Sequence, residues 1–236
     1  MRHVSRWPVA LLLALSLVGA GAVAGASGSA KKGGGKLVGV FKIDAAECAS
    51  GAATSGSYFR MVQPGGTVDA GPFLPNGDSI CGDKTYTGLE PGTQGGLITG
   101  KYQPQPDPPM DAAGNGLADK IMTPTKFFAL NFAMSTNKTD PQTGNAVPVP
   151  EVKASKSGKL TAALKAISVA YGGQQFNQGT PKPDGSKPGG TTDASGTYKR
   201  KGGAFTLEWA SQIVGGPFDG FTGVWHLEGK LEKRHK

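Results

Sequence analysis

The segment Gly196–Lys233 constrains the fold more than any other part of the sequence, because apolar and polar residues alternate along it in two runs. The apolar members are Phe205, Leu207 and Trp209 in the first run and Trp225, Leu227 and Leu231 in the second. Alternation with a period of two puts one set of side chains on a buried face and the other on a polar face. Glycine-rich turns flank the runs, so the segment predicts a three-stranded antiparallel meander.

A turn that is symmetric about Pro217 predicts the register of the last two strands. The resulting cross-strand pairs are Trp209 with Trp225, Glu208 with His226, Leu207 with Leu227 and Thr206 with Glu228. Glu208, His226 and Glu228 then share the polar face of the sheet. Such a group is typical of general acid/base catalysis, and these three residues are the catalytic candidates. The structural alternative is a solvated cross-strand cluster that contributes roughly 0.2–1 kcal/mol.

Shorter apolar runs along the rest of the chain also favour strands. They lie at residues 37–43, 57–62, 84–88, 96–102 and 126–134. Glycine and proline number 38 and 17 of 236 residues, and this content predicts long loops, among them 103–120 and 172–195. The sequence therefore predicts an all-β fold. It consists of a single antiparallel domain with long Gly/Pro-rich loops, built as a small up-and-down barrel, with a β-sandwich as the alternative.

The segment 159–171 fits two kinds of element. Leu160, Leu164 and Ile167 follow a helical spacing, and the alanines and lysines around them favour a helix. Val169 and its neighbours favour a strand. Because the segment lies among predicted strands, we expect a strand.

The N-terminus has the features of a secretory signal peptide. Arg2 and Arg6 precede an apolar stretch, and small residues follow at 22–26. The sequence predicts a signal peptide at 1–26, a disordered Gly/Ser/Lys-rich leader at 27–36 and one β-rich domain at 37–233. The mature protein is therefore expected to be bacterial, secreted or extracytoplasmic, and not membrane-spanning after cleavage.

The two cysteines, Cys48 and Cys81, are expected to form a disulfide, since an exported protein matures in an oxidising compartment. Neither has further Cys or His neighbours in the sequence that would form a metal site. Closing the loop between them would stabilise the fold by about 3–4 kcal/mol on the chain-entropy model.

The chain is basic, with a formal net charge of +8. A basic surface can attract an anionic cell-surface polymer, or it can simply keep the protein in solution while a small ligand binds elsewhere. No recognition helix or repeated aromatic–basic pattern is present, which argues against nucleic acid as a partner. No phosphate-binding loop is present either, and the sequence predicts no cofactor.

The segment 111–122 matches part of a calcium-binding loop. Asp111, Asn115 and Asp119 occupy ligand positions, but Ala113 and Met122 stand where a polar ligand and a bidentate glutamate belong. We therefore predict no metal site, with these three residues as the partial calcium-loop candidate. The structural alternative is an Asn-Gly turn that leads into a strand.

Two stretches carry a family resemblance. The sequence Phe-Asn-Gln-Gly-Thr-Pro-Lys-Pro-Asp-Gly from Phe176, and the glycine-rich turn and strand Gly215–Gly229, resemble a family of exported bacterial proteins with no assigned activity. That resemblance implies no catalytic residues. The turn at 215–223 also resembles the hairpin of allene oxide cyclase-like barrels, which implies a barrel and no enzyme.

Two classes of function stay open. The first is a non-enzymatic binding or structural module. The second is a secreted enzyme that uses Glu208, His226 and Glu228 as acid/base groups. Catalytic carboxylates should converge in a concave pocket, whereas structural ones should be scattered on the surface.

Overall fold

The computed structural model describes residues 35–49 and 52–233. Strands make up 47% and helical residues 2% of the structure, and the strand pairs are antiparallel. The predicted all-β antiparallel fold is therefore confirmed. The predicted signal peptide at 1–26 lies outside the described residues.

The described chain contains 17 strands and one turn of 3₁₀ helix, Gly216–Phe218. The strands are β1 (Gly35–Leu37), β2 (Gly39–Ile43), β3 (Glu47–Ala49), β4 (Ala52–Ser55), β5 (Tyr58–Thr67), β6 (Gly71–Phe73), β7 (Thr87–Gly88), β8 (Gly96–Ile98), β9 (Thr125–Phe127), β10 (Leu130–Thr136), β11 (Glu151–Ala154), β12 (Lys159–Ala163), β13 (Ile167–Tyr171), β14 (Gln174–Asn177), β15 (Ala194–Tyr198), β16 (Ala204–Gln212) and β17 (Thr222–Lys233).

The largest sheet is strongly curled and forms half of a barrel. Its strand order is β1-β11-β12-β15-β16-β17-β2-β8, and β5 branches from β17 and pairs with β6 and β7. β1 and β2 are adjacent in the chain, with only Val38 between them. The strand order therefore curls round from β1 through β11, β12, β15, β16 and β17 back to β2. The 12-residue β17 pairs with β5 over its first half and with β2 over its second half.

A smaller sheet of order β14-β13-β10-β9 packs against the apolar face of the half-barrel. Phe59 joins the two sheets, because its ring centroid lies 5.4 Å from that of Phe132 and 5.8 Å from that of Phe127. Trp225 contacts Phe132 at 5.9 Å. Both sheets therefore contribute to one hydrophobic core.

The C-terminal meander is confirmed with its predicted register. All four predicted cross-strand pairs are present, and β15 precedes them as the third strand. Trp209 and Trp225 are both buried, with parallel rings 5.9 Å apart. Gly196 allows close packing of β15 on β16, since a Cβ there would collide with the Thr206 carbonyl oxygen.

The segment 159–171 is a strand in both halves, as expected, but the two halves belong to different sheets. β12 pairs with β11 and β15, whereas β13 pairs with β10 and β14. Between them the chain turns at Leu164, whose carbonyl accepts the Ile167 amide at 3.1 Å. The change of sheet explains why neither a single strand nor a single helix fits the whole pattern.

The predicted single strand at 126–134 is wrong, because this segment is the tight hairpin β9–β10. Phe128 and Ala129 form its turn and adopt positive φ angles of 49° and 67°. Asn-Gly or Asp-Gly is typical of such turns, so the apolar pair gave no turn signal. The Asp78 carboxylate accepts the Ala129 amide at 2.6 Å and holds the turn from outside.

Other boundaries differ from the prediction as well. The strands predicted at 84–88 and 96–102 are limited to Thr87–Gly88 and Gly96–Ile98. Gly35 and Lys36 belong to β1, although the predicted disordered leader extends to residue 36. Gln174–Asn177 forms β14, although it lies inside the predicted loop at 172–195. β1 gains its partner β11 from a distant part of the chain, a contact that local composition does not reveal. β14 instead forms a hairpin with the preceding strand β13 across the Gly172–Gly173 turn.

The predicted disulfide between Cys48 and Cys81 is present, with 5.2 Å between the Cα atoms. It connects the β3–β4 hairpin to the loop before β7. Within the described ranges, we find no helix of the length and hydrophobicity that a membrane crossing requires.

Candidate functional site

The meander places Glu208, His226 and Glu228 together, as the sequence predicted. His226 Nδ1 lies 2.6 Å from Glu208 Oε1, across the β16–β17 ladder. His226 Nε2 lies 3.4 Å from Glu228 Oε2, two residues along the same face of β17. Both ring nitrogens therefore face carboxylates.

Tyr58 completes the group, although the sequence analysis did not include it. β5 pairs with β17 so that Tyr58 lies opposite His226. The two rings stack with centroids 4.6 Å apart and an interplanar angle of 6°. The edge of Tyr86 packs on Tyr58 in turn, at 5.0 Å. Stacking and two acidic neighbours leave only 12% of the His226 side chain exposed.

The charges in this group depend on one another. The hydrogen bond with His226, followed by its charge, lowers the pKa of Glu208 and keeps this carboxylate ionised. Burial raises the pKa of Tyr58, and the neighbouring Glu208 charge raises it further. A carboxylate only accepts hydrogen bonds, so His226 can donate to both glutamates only as an imidazolium.

Glu208 and His226 lie on the floor of an open cleft of about 390 Å³. Asp69 and Asp193 also line the cleft, and Asp193 pairs with Lys187 at 2.5 Å. Arg60 is the basic side chain in the lining besides His226. Glu228 contacts His226 but is not itself among the residues that line the cleft. The cleft is therefore richer in carboxylates than in cations, although the protein as a whole is basic.

Arg60 is held rigidly in the cleft wall. Its guanidinium carbon lies 3.3 Å from the Phe73 ring centroid and 4.2 Å from that of Tyr86, which are cation–π contacts. Its Nη2 donates to Thr85 Oγ1 at 3.1 Å. These contacts fix the position of the positive charge.

The partial calcium loop is organised around its own backbone. Asp111 Oδ1 accepts the amides of Ala113 and Asn115 at 2.9 and 2.8 Å, and Asn115 Nδ2 donates to Asp111 Oδ2 at 2.8 Å. These bonds with Asn115 lower the pKa of Asp111. Asp119 accepts the Thr93 amide with its backbone carbonyl. Among the residues that the structure describes, no three or more His, Cys, Asp or Glu are grouped to hold a metal ion. Asp111 and Asn115 thus hold the turn together.

Gln178 is a key polar residue that the sequence analysis missed. Its backbone carbonyl accepts the Trp209 indole N–H at 2.8 Å, and its side-chain Oε1 accepts that of Trp225 at 3.2 Å. One residue therefore satisfies both buried tryptophans. It follows β14 within a stretch that reads as a polar loop, and no local pattern marks it as buried.

Lys182 is a second buried group in the same stretch, with 6% of its surface exposed. Its ammonium donates to the Asn177 carbonyl at 2.8 Å, to Ser211 Oγ at 2.8 Å and to the Gln212 carbonyl at 2.6 Å. Burial lowers the pKa of Lys182 from 10.5 to about 8, against the smaller opposing effects of Asp140 and Asp184. Two of these contacts anchor the loop before β15 to the end of β16, and the third anchors it to the end of β14.

We expect Lys182 to make the fold more stable in mildly alkaline solution. The pKa of Lys182 is about 8 in the folded protein, against the ordinary value of 10.5 that applies to the unfolded chain. Between these two pH values the unfolded chain binds more protons than the folded protein, so the free energy of unfolding rises with pH. The expected rise from pH 7 to 9.5 is about 2 kcal/mol. Urea melts of the parent and of Lys182→Met would measure it, and the rise should be absent in the variant. Parallel curves for the two proteins would contradict the assignment.

Comparison of the chain with protein-family models, with curated proteins and with solved structures finds no match. The resemblances drawn from the sequence therefore stay predictions.

Proposed function

We propose that the protein is a secreted, non-enzymatic binding module that takes a small amine-bearing polyhydroxyl ligand, such as an amino sugar, in the cleft beside Glu208. The observation that carries this proposal is the fixed and ionised Glu208 carboxylate on the cleft floor. Its side chain is 61% exposed although His226 holds one of its oxygens. The second oxygen remains within reach of a ligand.

The lining of the cleft supports a cationic ligand over an anionic one. Asp69, Asp193 and Glu208 outnumber the two basic lining residues, Arg60 and His226. The Arg60 guanidinium is already in contact with two rings and a hydroxyl. An ammonium group would donate charge-assisted hydrogen bonds to the Glu208 carboxylate, and such bonds are about twice as strong as neutral ones. Hydroxyl groups suit the remaining polar side chains, Thr192 and Ser195. An anionic polymer, the other predicted partner, would meet like charge here.

The geometry supports binding more than catalysis. His226 could act as a general base only with a free ring nitrogen within hydrogen-bond reach of the proton that it abstracts. Both nitrogens of His226 face glutamates, and Tyr58 stacks on the ring. The imidazole acts here as a brace that fixes the positions of the two carboxylates.

Secretion is supported by the N-terminal sequence and by the disulfide. Disulfides form and persist outside the reducing cytosol. The Cys48–Cys81 bond therefore agrees with an extracytoplasmic position. A cell-surface or secreted location would expose the cleft to amino sugars.

Calorimetric titration with glucosamine, and with glucose as the uncharged match, tests the proposal. We expect glucosamine to bind at least about tenfold more tightly than glucose, because a hydrogen bond between charged groups contributes about 1.5–3 kcal/mol. The substitution Glu208→Gln keeps the shape of the side chain and should remove this preference. Because the pKa of Glu208 is lowered, the preference should persist below the usual titration range of glutamate and disappear only in stronger acid.

Glu232→Gln is the matched control. Glu232 lies on β17 as well, is exposed and pairs with Lys42 at 2.9 Å outside the cleft. This variant should bind like the parent. Equal binding of glucosamine and glucose by the parent protein, or equal losses in the two variants, would contradict the proposal.

A further inference from the structure

A second cavity lies on the opposite side of the β16–β17 ladder from the cleft, between the two sheets. On the half-barrel side the cavity is lined by Phe59 and Trp225. On the side of the smaller sheet it is lined by Phe127, Phe132 and Phe176. The space between these side chains is about 40 Å³. Aromatic rings thus dominate the lining of this chamber.

Phe218 lies at the mouth of the chamber, on the loop 214–221 between β16 and β17. Its ring is only half-buried. The centroid lies 5.9 Å from that of Phe127 and 6.1 Å from that of Tyr171. Phe218 therefore occupies a position that has ring neighbours on several sides.

The loop that carries Phe218 is folded mainly by its own bonds. Asp219 Oδ1 accepts the Gly215 amide at 2.6 Å, and the Phe218 carbonyl accepts the Phe221 amide at 3.0 Å. Gly215 and Gly220 both adopt φ angles of 81°, which only glycine adopts easily. Movement of the loop about these glycines would keep its internal bonds and would break the bond that Gln142 Nε2 donates to the Val214 carbonyl at 2.8 Å.

Phe128 is an exposed aromatic beside Phe218, with a centroid separation of 6.2 Å. The residue is 46% exposed. Its φ angle is 49°, which is a rare backbone conformation for a bulky residue. Asp78 and Asn76 hold the turn from outside. A two-residue hairpin turn of this kind requires positive φ angles at both central residues, and this turn places Phe128 beside Phe218.

We propose that the chamber is a binding site for a single uncharged aromatic ring, and that Phe218 occupies its mouth when no ligand is bound. The space of about 40 Å³ is too small for a benzene ring, since an engineered apolar cavity that binds benzene measures about 150 Å³. Displacement of Phe218 would add the volume of its own ring. The incoming ring would then regain the edge and face contacts that Phe218 makes with Phe127 and Tyr171.

We expect the ligand to be an aromatic ring because the side chains that line the chamber are themselves spaced and tilted as aromatic pairs are. Ring centroids around the chamber lie 4.5 to 6.4 Å apart in tilted and edge arrangements. This spacing is typical of aromatic pairs, which gain about 0.5–1.5 kcal/mol beyond the burial of area. A saturated ring of similar size would gain the burial alone. The proposal does not depend on the ligand of the polar cleft.

Titration of the full-length protein with toluene, followed by methyl and aromatic NMR shifts of the chamber residues, tests the proposal. The parent protein should show saturable binding. Phe218→Ala should bind toluene at least about tenfold more tightly, because the competing closed state is removed and the apparent Kd falls accordingly. Methylcyclohexane should bind more weakly than toluene to both proteins.

Val214→Ala is the matched control, since this exposed side chain belongs to the same loop and lies outside the chamber lining. It should bind toluene with the parent's affinity. Binding to Phe218→Ala without binding to the parent would show only an engineered void and would overturn the proposal. The parent titration decides the matter even when Phe218→Ala does not fold, because its failure to saturate also overturns the proposal.

Discussion

Trp225→Ala is expected to lower the free energy of unfolding by about 3–5 kcal/mol, which is typical of a buried tryptophan truncated to alanine. Trp225 is 1% exposed. Its ring lies 4.5 Å from that of Phe59 and 5.9 Å from those of Phe132 and Trp209. It therefore contacts residues of both sheets, and its loss leaves a cavity where the sheets meet. Small domains have total stabilities of about 5–15 kcal/mol, so much of the fold's stability depends on this residue.

Urea melts of the parent and the variant would measure this effect, and His226→Ala is the matched control. His226 follows Trp225 in β17 and points to the opposite face, where it is held by Glu208 and Tyr58. Its truncation should cost about 1 kcal/mol. A larger loss for His226→Ala than for Trp225→Ala would mean that the polar face carries the stability.

The meander could be predicted residue by residue because two independent signals agree there. Alternation assigns Trp209 and Trp225 to the buried face, and the length of the turn about Pro217 sets which residues lie opposite one another. A shift by one residue would move every apolar side chain to the polar face. Glu208 and His226 therefore had to meet once the strands paired.

Other parts of the fold depend on contacts that local sequence does not encode. The turn at Phe128–Ala129 lacks glycine and is held by Asp78, which is distant in the chain. Gln178 and Lys182 lie in a stretch of polar and turn-forming residues, but they are buried because β16 and β17 supply their partners. Polar residues are mostly exposed, so a polar stretch predicts a loop until its partners are known.

Only the part of the candidate site that lies on the two strands β16 and β17 could be predicted from the sequence. The polar face of the meander gave Glu208, His226 and Glu228, whereas Tyr58 reaches His226 through the pairing of β5 with β17. The residues from the loop at 68–69 and from the stretch at 192–193 come from further parts of the chain. Alternation describes one strand at a time and cannot predict which loops border a cleft.

Loss of the Cys48–Cys81 bond is the second large effect that we expect. The two cysteines are 33 residues apart, and closing a loop of that length stabilises a fold by about 3–4 kcal/mol on the chain-entropy model. Among the strands that the structure describes, the β3–β4 hairpin pairs with no other, so the bond is its covalent tie to the loop before β7. The double substitution Cys48→Ala, Cys81→Ala should therefore lower the free energy of unfolding by about this amount.

The same bond holds the loop that supports the Phe128 turn. Cys81 is buried, and its amide donates to Ser79 Oγ at 3.1 Å, in the same loop as Asn76 and Asp78. Hydrogen exchange should therefore accelerate first at residues 76–86 in the double variant, while Trp225 and its ladder keep their protection. Reduction of the parent should reproduce the loss measured for the variant, and reductant should leave the variant unchanged. A reduced parent as stable as the oxidised one would show that hydrogen bonds, and not the disulfide, hold this loop against the half-barrel.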